Sequence, residues 1–273
     1  MVNKKNIRRN KKRRKDILGI FIITIVLAII VTSIYSYQKL TSKHQIINKE
    51  TFCSESGPSE IIAVLIDRTD KLNVVQQRAI EINLEDLREN LPIGAELSIY
   101  IIRSISDDLL KPIFKMCNPG RGKEVNPFLG NPKLIEKRWR ESFNKPLQSA
   151  YDSLLSIETE DRSPIMESIQ SVALTNFSGK KFDDVSKKLI IISDMLQNTK
   201  SFSNYSKGSN FEALRKNQYY KQVYTNLNNL NVNILYIRRN AAHKIQGQKH
   251  IKFWQEFFSD QGATLTRVVS IEG

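Results

Sequence analysis

The sequence predicts a doubly wound α/β domain, with a mostly parallel sheet of about six strands, behind a single N-terminal transmembrane helix. Three observations lead to this fold class: a charge-free apolar run at 17–37, short apolar runs of strand length, and helical periodicity between those runs. Strands that alternate with helices are typical of a parallel sheet covered on both faces. We therefore divide the chain into a basic tail at 1–16, a transmembrane helix at 17–37, a stem at 38–59 and a domain at 60–273.

Residues 17–37 have the length of a membrane-spanning helix. About 20 residues at ~1.5 Å of rise each cross a hydrocarbon core of ~30 Å, and this run contains no charge. Nine Lys and Arg residues precede the run, whereas only Lys39, Lys43 and Lys49 follow it closely. The positive-inside rule then places the N-terminus in the cytoplasm and the C-terminal domain outside it, in the periplasm if the source is bacterial. A cleaved signal peptide is the alternative, but its apolar region is usually ~7–15 residues and ends in small residues.

The basic tail accounts for most of the net charge, which is +14 for the chain. Nine basic residues and Asp16 give the tail a charge of +8, which leaves +6 for the other 257 residues. Attraction to anionic lipids, on the order of 1 kcal/mol per basic residue, explains such a block. No aromatic residue interleaves with these charges, so we expect the lipid bilayer, and no nucleic acid, as the partner of the tail.

The first half of the domain reads as strand, helix, strand and short edge strand. The apolar run at 61–66 ends at Asp67 and is typical of a strand buried on both faces of a sheet. A helix follows at 73–91, with apolar residues at helical spacing and a stop at Pro92-Ile93-Gly94. A second strand is predicted at 97–102, and a short strand at 113–117 is closed by Asn118-Pro119-Gly120.

The second half continues the alternation. Helices are predicted at 132–156 and 164–176, before the very apolar strand at 189–194. A helix at 211–229, a strand at 232–237, a helix at 249–260 and a strand at 265–269 complete the pattern. His250 begins the last helix, whose aromatic stripe we interpret as core and not as a ligand site: Phe253, Trp254, Phe257 and Phe258.

Two of the predicted strands end in an aspartate, Asp67 and Asp194. In open α/β sheets the ligand crevice lies beyond the carboxyl ends of the strands, at the point where strand order reverses. Both carboxylates are therefore expected to face one site. The alternative is that each one only caps the helix behind it.

The residues around these aspartates resemble a known family. The segment Val64-Leu65-Ile66-Asp67-Arg68-Thr69-Asp70 resembles the opening of a von Willebrand factor A-type (vWA) domain, whose first strand ends in Asp-x-Ser-x-Ser. Ser163, in Arg162-Ser163-Pro164-Ile165, matches a loop Thr of the family, and Asp194 matches the Asp that closes its fourth strand. The resemblance covers residues 60–270 and implies a Rossmann-like sheet. It also implies a site where a divalent cation bridges the domain to an acidic group of a partner.

The resemblance makes Asp67, Thr69, Ser163 and Asp194 the ligands of a Mg²⁺ ion, which prefers such oxygen ligands. This sequence departs from the motif at Lys71, which stands where the last hydroxyl belongs. The ammonium of Lys71 could replace the ion and neutralise an aspartate, or it could point away on its long stem. We expect a preserved fold with a weakened or lost ion site.

The two cysteines, Cys53 and Cys117, both lie on the outer side of the predicted membrane helix. If Cys117 ends an antiparallel edge strand, it lies at the end of the sheet where the chain enters through Cys53. In an oxidising compartment we expect a disulfide between them. Two separate buried thiols are the alternative.

The function that fits best is a membrane-anchored, extracytoplasmic module that binds a protein partner and is not an enzyme. No nucleophile-and-base set and no phosphate-cradling glycine loop is present in the sequence. The loops at 118–131 and 197–209 are the further candidates for recognition. One alternative is a structural component of an envelope complex. The other is a haloacid-dehalogenase-like phosphatase, which Asp67-Arg68-Thr69 resembles, although that family needs a second Asp where Thr69 stands.

Overall fold

The computed structural model describes residues 21–36, 47–103, 109–127, 130–154, 162–179 and 184–273. It divides the chain into two compact units, Met1–Ile46 and Ile47–Gly273. In the first unit, residues 21–36 are helical and exposed. Within the described ranges, no helix combines the length and the hydrophobicity that a membrane crossing requires. The basic tail, residues 17–20 and 37 of the predicted transmembrane helix, and residues 38–46 of the predicted stem lie outside the described residues.

The second unit is built on one six-stranded sheet, in the spatial order β3-β2-β1-β4-β5-β6. Its strands are β1 (Glu60–Asp67), β2 (Glu96–Ile102), β3 (Phe114–Cys117), β4 (Ser186–Ser193), β5 (Leu230–Ile237) and β6 (Thr264–Ile271). Neighbouring strands are parallel, except that β3 runs antiparallel to β2 at one edge. The strand order reverses between β1 and β4, which makes their carboxyl ends the switch point of a doubly wound sheet. The predicted fold class is confirmed at this level.

Helices cover both faces of the sheet. In the described residues they are α1 (Val74–Glu89), α2 (Pro132–Arg138), α3 (Lys145–Leu154), α4 (Ile165–Val172), α5 (Asn204–Lys207), α6 (Phe211–Arg215), α7 (Gln218–Val223) and α8 (Gln248–Asp260). A π-helical turn, Trp139–Asn144, joins α2 to α3, and a second one, Ala173–Phe177, extends α4. The capping box of α1 explains its start, because Asn73 accepts from the backbone N–H of Gln76 and the Gln76 side chain accepts from Asn73 N.

The helix predicted at 211–229 is wrong in extent. It is two short helices, α6 and α7, and residues 224–229 are not helical. The side chain of Asn217 accepts from Tyr219 N at 3.0 Å and starts a new helix there, as Asn side chains often do. Tertiary contacts hold the later residues, since Thr225 N donates to Gln261 Oε1 at 2.9 Å.

Side chains of the central strands alternate between two apolar layers. From β1, Ile61, Ala63 and Leu65 pack toward α4, α6, α7 and α8, while the intervening residues pack toward α1 and α3. The aromatic stripe of α8 lies in the first layer, where each of its four rings is at most 1 % exposed. Its interpretation as core is confirmed.

The amino edge of the sheet holds the disulfide. Cys53 and Cys117 are bonded, with 4.9 Å between their Cα atoms, and Cys117 ends the antiparallel strand β3 opposite Glu96. Cys117 N also donates to Thr51 O at 2.8 Å. The predicted disulfide is confirmed, and the bond places residues 47–59 against the sheet.

Candidate functional site

Asp67 ends β1 at the carboxyl edge of the sheet and is only 4 % exposed. Its Oδ1 accepts from Thr69 N at 3.0 Å and from Thr69 Oγ1 at 2.7 Å. Its Oδ2 accepts from Ser163 Oγ and from Ser193 Oγ, both at 2.8 Å. The structure thus brings Asp67, Thr69 and Ser163 into one buried cluster, in which four donors surround a single carboxylate.

Ser163 reaches Asp67 because two loops are bridged. Ser163 N donates to Asn198 O and Asn198 N donates to Ser163 O, each at 3.0 Å. Gln197 ties the same loop to α4, since its Oε1 accepts from Met166 N at 2.9 Å. These contacts fix residues 162–164 above the end of β1.

The turn after β4 is backbone-strained. Met195 has a φ of 61°, in the left-handed region that side chains with a Cβ rarely adopt. Hydrogen bonds on both sides hold it there: its N–H donates to Ser193 Oγ at 2.8 Å, and its carbonyl accepts from Trp254 Nε1 at 2.9 Å. This turn sends the side chain of Asp194 into the crevice.

Asp194 is paired with an arginine that the sequence patterns did not single out. Arg239 follows β5, and its Nε donates to Asp194 Oδ2 at 3.1 Å. The other carboxylate oxygen, Oδ1, accepts from Leu196 N at 2.9 Å. The side chains of Asp194 and Arg239 are 4 % and 16 % exposed, so this is a largely buried ion pair.

Arg239 also contacts the loop after β1 and so links that loop to Asp194. Its Nη1 donates to the backbone carbonyl of Lys71 at 2.6 Å, while the residue Lys71 is exposed. The cation beside Asp194 is therefore Arg239, and Lys71 takes part through its main chain.

Gln246 clamps the loop that carries Arg239. Its Nε2 donates to Asp194 O at 2.9 Å and to Ile237 O at 2.8 Å, and its Oε1 accepts from Arg239 N at 2.7 Å. Gln246 is 2 % exposed, so these amide bonds lie out of water. They hold the guanidinium in place before any ligand arrives.

Burial dominates the electrostatics of the crevice. It raises the pKa of Asp194 to about 7, and the nearby Asp67 carboxylate acts in the same direction, whereas Leu196 N–H and Arg239 act against it. Burial also raises the pKa of Tyr205 to about 12, with Asp194 and Asp70 contributing in the same sense. The Tyr205 hydroxyl is thus in the field of the crevice carboxylates, although the residue is 53 % exposed.

The residues present are a poor fit for a divalent ion. Every donor near Asp67 already uses one of its oxygens, and Arg239 already supplies a positive charge to Asp194. Lys71 also removes one of the hydroxyl ligands of the motif. The Thr69 and Ser163 hydroxyls keep lone pairs while they donate to Asp67, but a Mg²⁺ ion, which needs near-octahedral oxygen ligands, would have to displace Arg239 from Asp194.

A second group of metal-type side chains lies at the opposite edge of the sheet. Among the described residues, Cys53, Glu96 and Cys117 come close enough to share an ion. The two sulfurs are joined in the disulfide, so they are not thiolates and do not act as ligands there.

The two candidate recognition loops lie at opposite edges of the sheet. The loop at 197–209 borders the crevice and contains Tyr205 and the short helix α5. The loop at 118–131 starts at the amino edge, where Gly94 N donates to Asn118 O at 2.8 Å. Only the first of them can contribute to a site around Asp67.

Sequence reasoning missed several residues that shape the crevice. Ser193 was visible as the polar residue before Asp194, at the end of an apolar strand. Arg239 follows the next strand in the chain, and its place after a strand was the only local signal. Gln197 and Gln246 have no local signal, because their amide bonds reach residues far away in the chain.

No protein-family model matches the chain, and comparison with curated proteins also gives no match. Among solved structures, the chain is similar to the conserved hypothetical protein BatB from Bacteroides thetaiotaomicron, with 10% identity, a TM-score of 0.40, and 78% of this chain and 91% of that chain covered. It is similar to the ArnB paralog VWA2 from Sulfolobus acidocaldarius, with 13% identity, a TM-score of 0.40, and 78% and 42% covered. It is also similar to an aerotolerance-related membrane protein from Bacteroides fragilis, with 9% identity, a TM-score of 0.33, and 78% and 91% covered.

Proposed function

We propose that the chain is a membrane-anchored, extracytoplasmic protein-binding module of the vWA type, which holds a protein partner at the carboxyl edge of its sheet. Two features support the vWA assignment. The sheet has the doubly wound order with one antiparallel edge strand. Asp67, Thr69, Ser163 and Asp194 stand at the positions of the adhesion motif, and three of them share one hydrogen-bond cluster.

The ion pair between Asp194 and Arg239 is the observation that supports this function best. It joins the loops after β1, β4 and β5, because Arg239 bonds Asp194 and the carbonyl of Lys71 at the same time. A surface that is already rigid loses little conformational entropy when a partner binds. The guanidinium thus links these loops as a bound cation would, while Tyr205, Asp70 and Lys71 at the rim of the crevice stay exposed.

The rim offers groups suited to a protein partner. Tyr205 is 53 % exposed and lies in the field of the exposed Asp70, and Lys71, the next residue after Asp70, is exposed as well. Tyrosine is enriched at protein interfaces because it combines a large apolar ring with a polar end. We propose that these three residues contact the partner.

The same cluster speaks against a phosphatase. A nucleophilic aspartate needs a free oxygen, whereas Asp67 accepts four hydrogen bonds. The residue two positions later is Thr69, whose hydroxyl donates to Asp67 and cannot serve as the carboxylic acid of that chemistry. We therefore propose a module without enzymatic activity.

The anchored, outward location is part of the proposal. It rests on the apolar run at 17–37 and on the basic residues that precede it. The bond between Cys53 and Cys117 supports the same location, since disulfides persist in oxidising compartments and are rare in the cytosol. Magnesium is not required for the binding that we propose.

Site-specific photo-crosslinking of the full chain in its native membrane tests the function. A photoreactive residue at Tyr205 should yield a discrete cross-linked protein. The same residue at Ile93, which lies at the amino edge and is 54 % exposed, is the matched control and should not. Equal products from both positions would contradict a partner surface at the carboxyl edge.

Two further experiments separate the alternatives. If residues 17–37 are replaced by an unrelated apolar helix, the Tyr205 cross-link should persist; its loss would favour a structural component of an envelope complex that works through the membrane helix. Incubation with a generic phosphate ester and magnesium should give no turnover. Turnover that Asp67→Asn abolishes would favour the phosphatase.

A further inference from the structure

A cavity of about 240 Å³ opens between α1 and α3, away from the polar cluster around Asp67. Its apolar floor includes Ile66 from β1 and Ile80 and Leu84 from α1. Tyr151 of α3 forms part of the wall and donates to Leu84 O at 3.4 Å. At ~30 Å³ for each water-sized group, the cavity has room for about eight such groups.

Three arginines line this cavity, and two of them are compensated by carboxylates. Arg78 pairs with Glu81 at 3.1 Å, and its side chain is 68 % exposed. Arg88 pairs with Glu85 and Glu89, each at 3.1 Å. Arg78 and Arg88 therefore both form ion pairs with glutamates of their own helix, α1.

Arg68 is different. It directly follows Asp67, and its Nη1 donates to the carbonyl oxygen of Ser153 at 3.2 Å. Within the described part of the chain, no carboxylate forms an ion pair with it. Its Nε is buried and has no hydrogen-bond partner among the described residues. Among the described residues, the guanidinium is therefore a partly buried charge without an ion-pair partner, although Glu81, Glu85 and Asp152 also line the cavity.

Buried, unpartnered arginine nitrogens are concentrated at this cavity. In the described residues the Nε atoms of Arg68, Arg88 and Arg121 are in this condition. Arg121 has a local explanation, because its guanidinium stacks on the Trp139 ring at 4.1 Å from the centroid. The other two belong to residues that line the cavity; because both Nε atoms are buried, a ligand there would meet the terminal nitrogens of the guanidinium groups.

We propose that the cavity between α1 and α3 binds a small aliphatic monocarboxylate. The carboxylate pairs with Arg68, and the apolar chain lies on the floor formed by Ile66, Ile80 and Leu84. A guanidinium prefers a carboxylate because its planar N–H groups match the two oxygens. An apolar floor with a few polar groups is the usual composition of a small-molecule site. This inference does not depend on the proposed protein partner, since the rim residues Asp70 and Tyr205 do not line the cavity.

Ligand-observed saturation-transfer NMR on the full chain in a non-ionic detergent tests the proposal. The probes are hexanoate, which has eight non-hydrogen atoms, and hexan-1-ol as its uncharged analogue. Wild type should bind hexanoate saturably. A hydrogen bond to a charged group corresponds to roughly tenfold or more in affinity, so hexan-1-ol should bind weaker by that factor.

Three variants, measured in the same detergent, identify the site. Binding of the probes to the micelle is the same for every variant, so differences between variants report binding to the protein. Arg68→Gln should lose the preference for hexanoate. Arg78→Gln is the matched control, a paired and exposed arginine on the same wall, and should bind like wild type. Gln148→Trp fills the mouth from an exposed position of α3 and should block both probes.

Non-saturable binding by wild type, or equal affinity for the two probes, overturns the proposal and leaves a cavity filled by water. Unchanged hexanoate binding in folded Arg68→Gln overturns it as well. If Arg68→Gln fails to fold, Gln148→Trp decides, since a substitution at this exposed position leaves the core packing unchanged. Hexanoate binding by that variant at wild-type affinity overturns the assignment of the cavity.

Discussion

At the scale of single residues, Arg239 determines the character of the crevice. It supplies the positive charge beside Asp194, and Gln246 holds its backbone in position. A buried ion pair contributes little net stability, but removing one partner leaves an uncompensated charge that costs about 3–5 kcal/mol. A guanidinium is also always protonated, so this internal cation cannot dissociate as a metal ion does.

The first prediction concerns metal binding by this crevice. Because Arg239 occupies the place beside Asp194, millimolar Mg²⁺ or Mn²⁺ should leave the melting temperature of the wild-type protein unchanged. The double variant Lys71→Ser with Arg239→Gln restores a hydroxyl and removes the cation, and its melting temperature should rise with added metal. The measurement belongs at pH 8, above the pKa of about 7 for Asp194.

Asp67→Ala in that double variant is the control and should abolish the response to metal. A metal-dependent rise in the wild-type melting temperature, removed by Asp67→Ala or Asp194→Ala, would contradict the prediction. The crevice would then be a working ion site of the vWA type. If neither the wild type nor the double variant responds, Asp67 and Asp194 serve only to hold the loops through hydrogen bonds.

His250 makes a second residue-scale prediction, about pH. It is fully buried, its Nδ1 lies 2.7 Å from Tyr236 Oη, and its Nε2 accepts from Trp254 Nε1 at 3.2 Å. Burial lowers the pKa of His250 to about 4, from 6.5. The unfolded chain therefore takes up a proton at higher pH than the folded one, and stability present above pH 6.5 is lost as the pH falls toward 4.

The loss should be on the order of 3 kcal/mol in the free energy of unfolding at pH 4. Urea unfolding from pH 7 to pH 4 measures it against His250→Gln, which has no titrating ring. The difference in the free energy of unfolding between wild type and His250→Gln should shrink or reverse toward pH 4. Only the wild type has a buried imidazole that resists protonation in the folded state. A constant difference over that range would show that His250 titrates normally in the folded state.

At the scale of elements, strand ends and turns decide where the functional groups lie. β1 was predicted nearly in full because its apolar run is long and uninterrupted, whereas β4 begins at Ser186, three residues before its predicted start, and ends at Ser193. The broken helix between Phe211 and Val223 was not, because a single Asn side chain competes locally with helix continuation. The edge strand β3 ends at Cys117 and so places this residue within bonding distance of Cys53.

The third prediction is about that disulfide. Peptide mapping without reductant should recover Cys53 bonded to Cys117. The bond closes a loop of 64 residues, which in a chain-entropy estimate stabilises the fold by about 4 kcal/mol. Dithiothreitol should therefore lower the urea midpoint of the wild type. The variant with Ser at both positions is the control and should show the lower midpoint with no further effect of the reductant; free thiols at both positions in protein from its native compartment would refute the bond.

At the scale of the whole molecule, the doubly wound topology gathers residues that are distant in the chain. Asp67, Ser163, Asp194 and Arg239 span more than half of the sequence and meet within one crevice. The strand order reverses between β1 and β4, so the loops on either side of that point converge. The charge distribution along the chain is the other whole-molecule property, with the dense basic block confined to the N-terminal tail.

The fourth prediction is the orientation in the membrane. A reporter that is active only outside the cytoplasm, fused after Gly273, should be active, because the basic residues before position 17 stay in the cytoplasm. Neutralising the tail, with all nine Lys and Arg changed to Gln, should reduce that activity. A silent outer reporter together with an active cytoplasmic reporter at the same position would reverse the assignment.

Hydrophobic periodicity is a local property of the chain, so the order and the type of most elements could be predicted from the residue pattern alone. The strand ends also indicated Asp67 and the pair of cysteines, whereas Thr69 and Ser163 were expected beside Asp67 only because the residues resemble the vWA motif. Two features follow from the packing of the folded chain instead: Arg239 is the cation beside Asp194, and Arg68 forms no ion pair with a described carboxylate. The physical reason is that an ion pair or an unpaired charge depends on how separate loops and helices are placed in space, and no local pattern of residues records that placement.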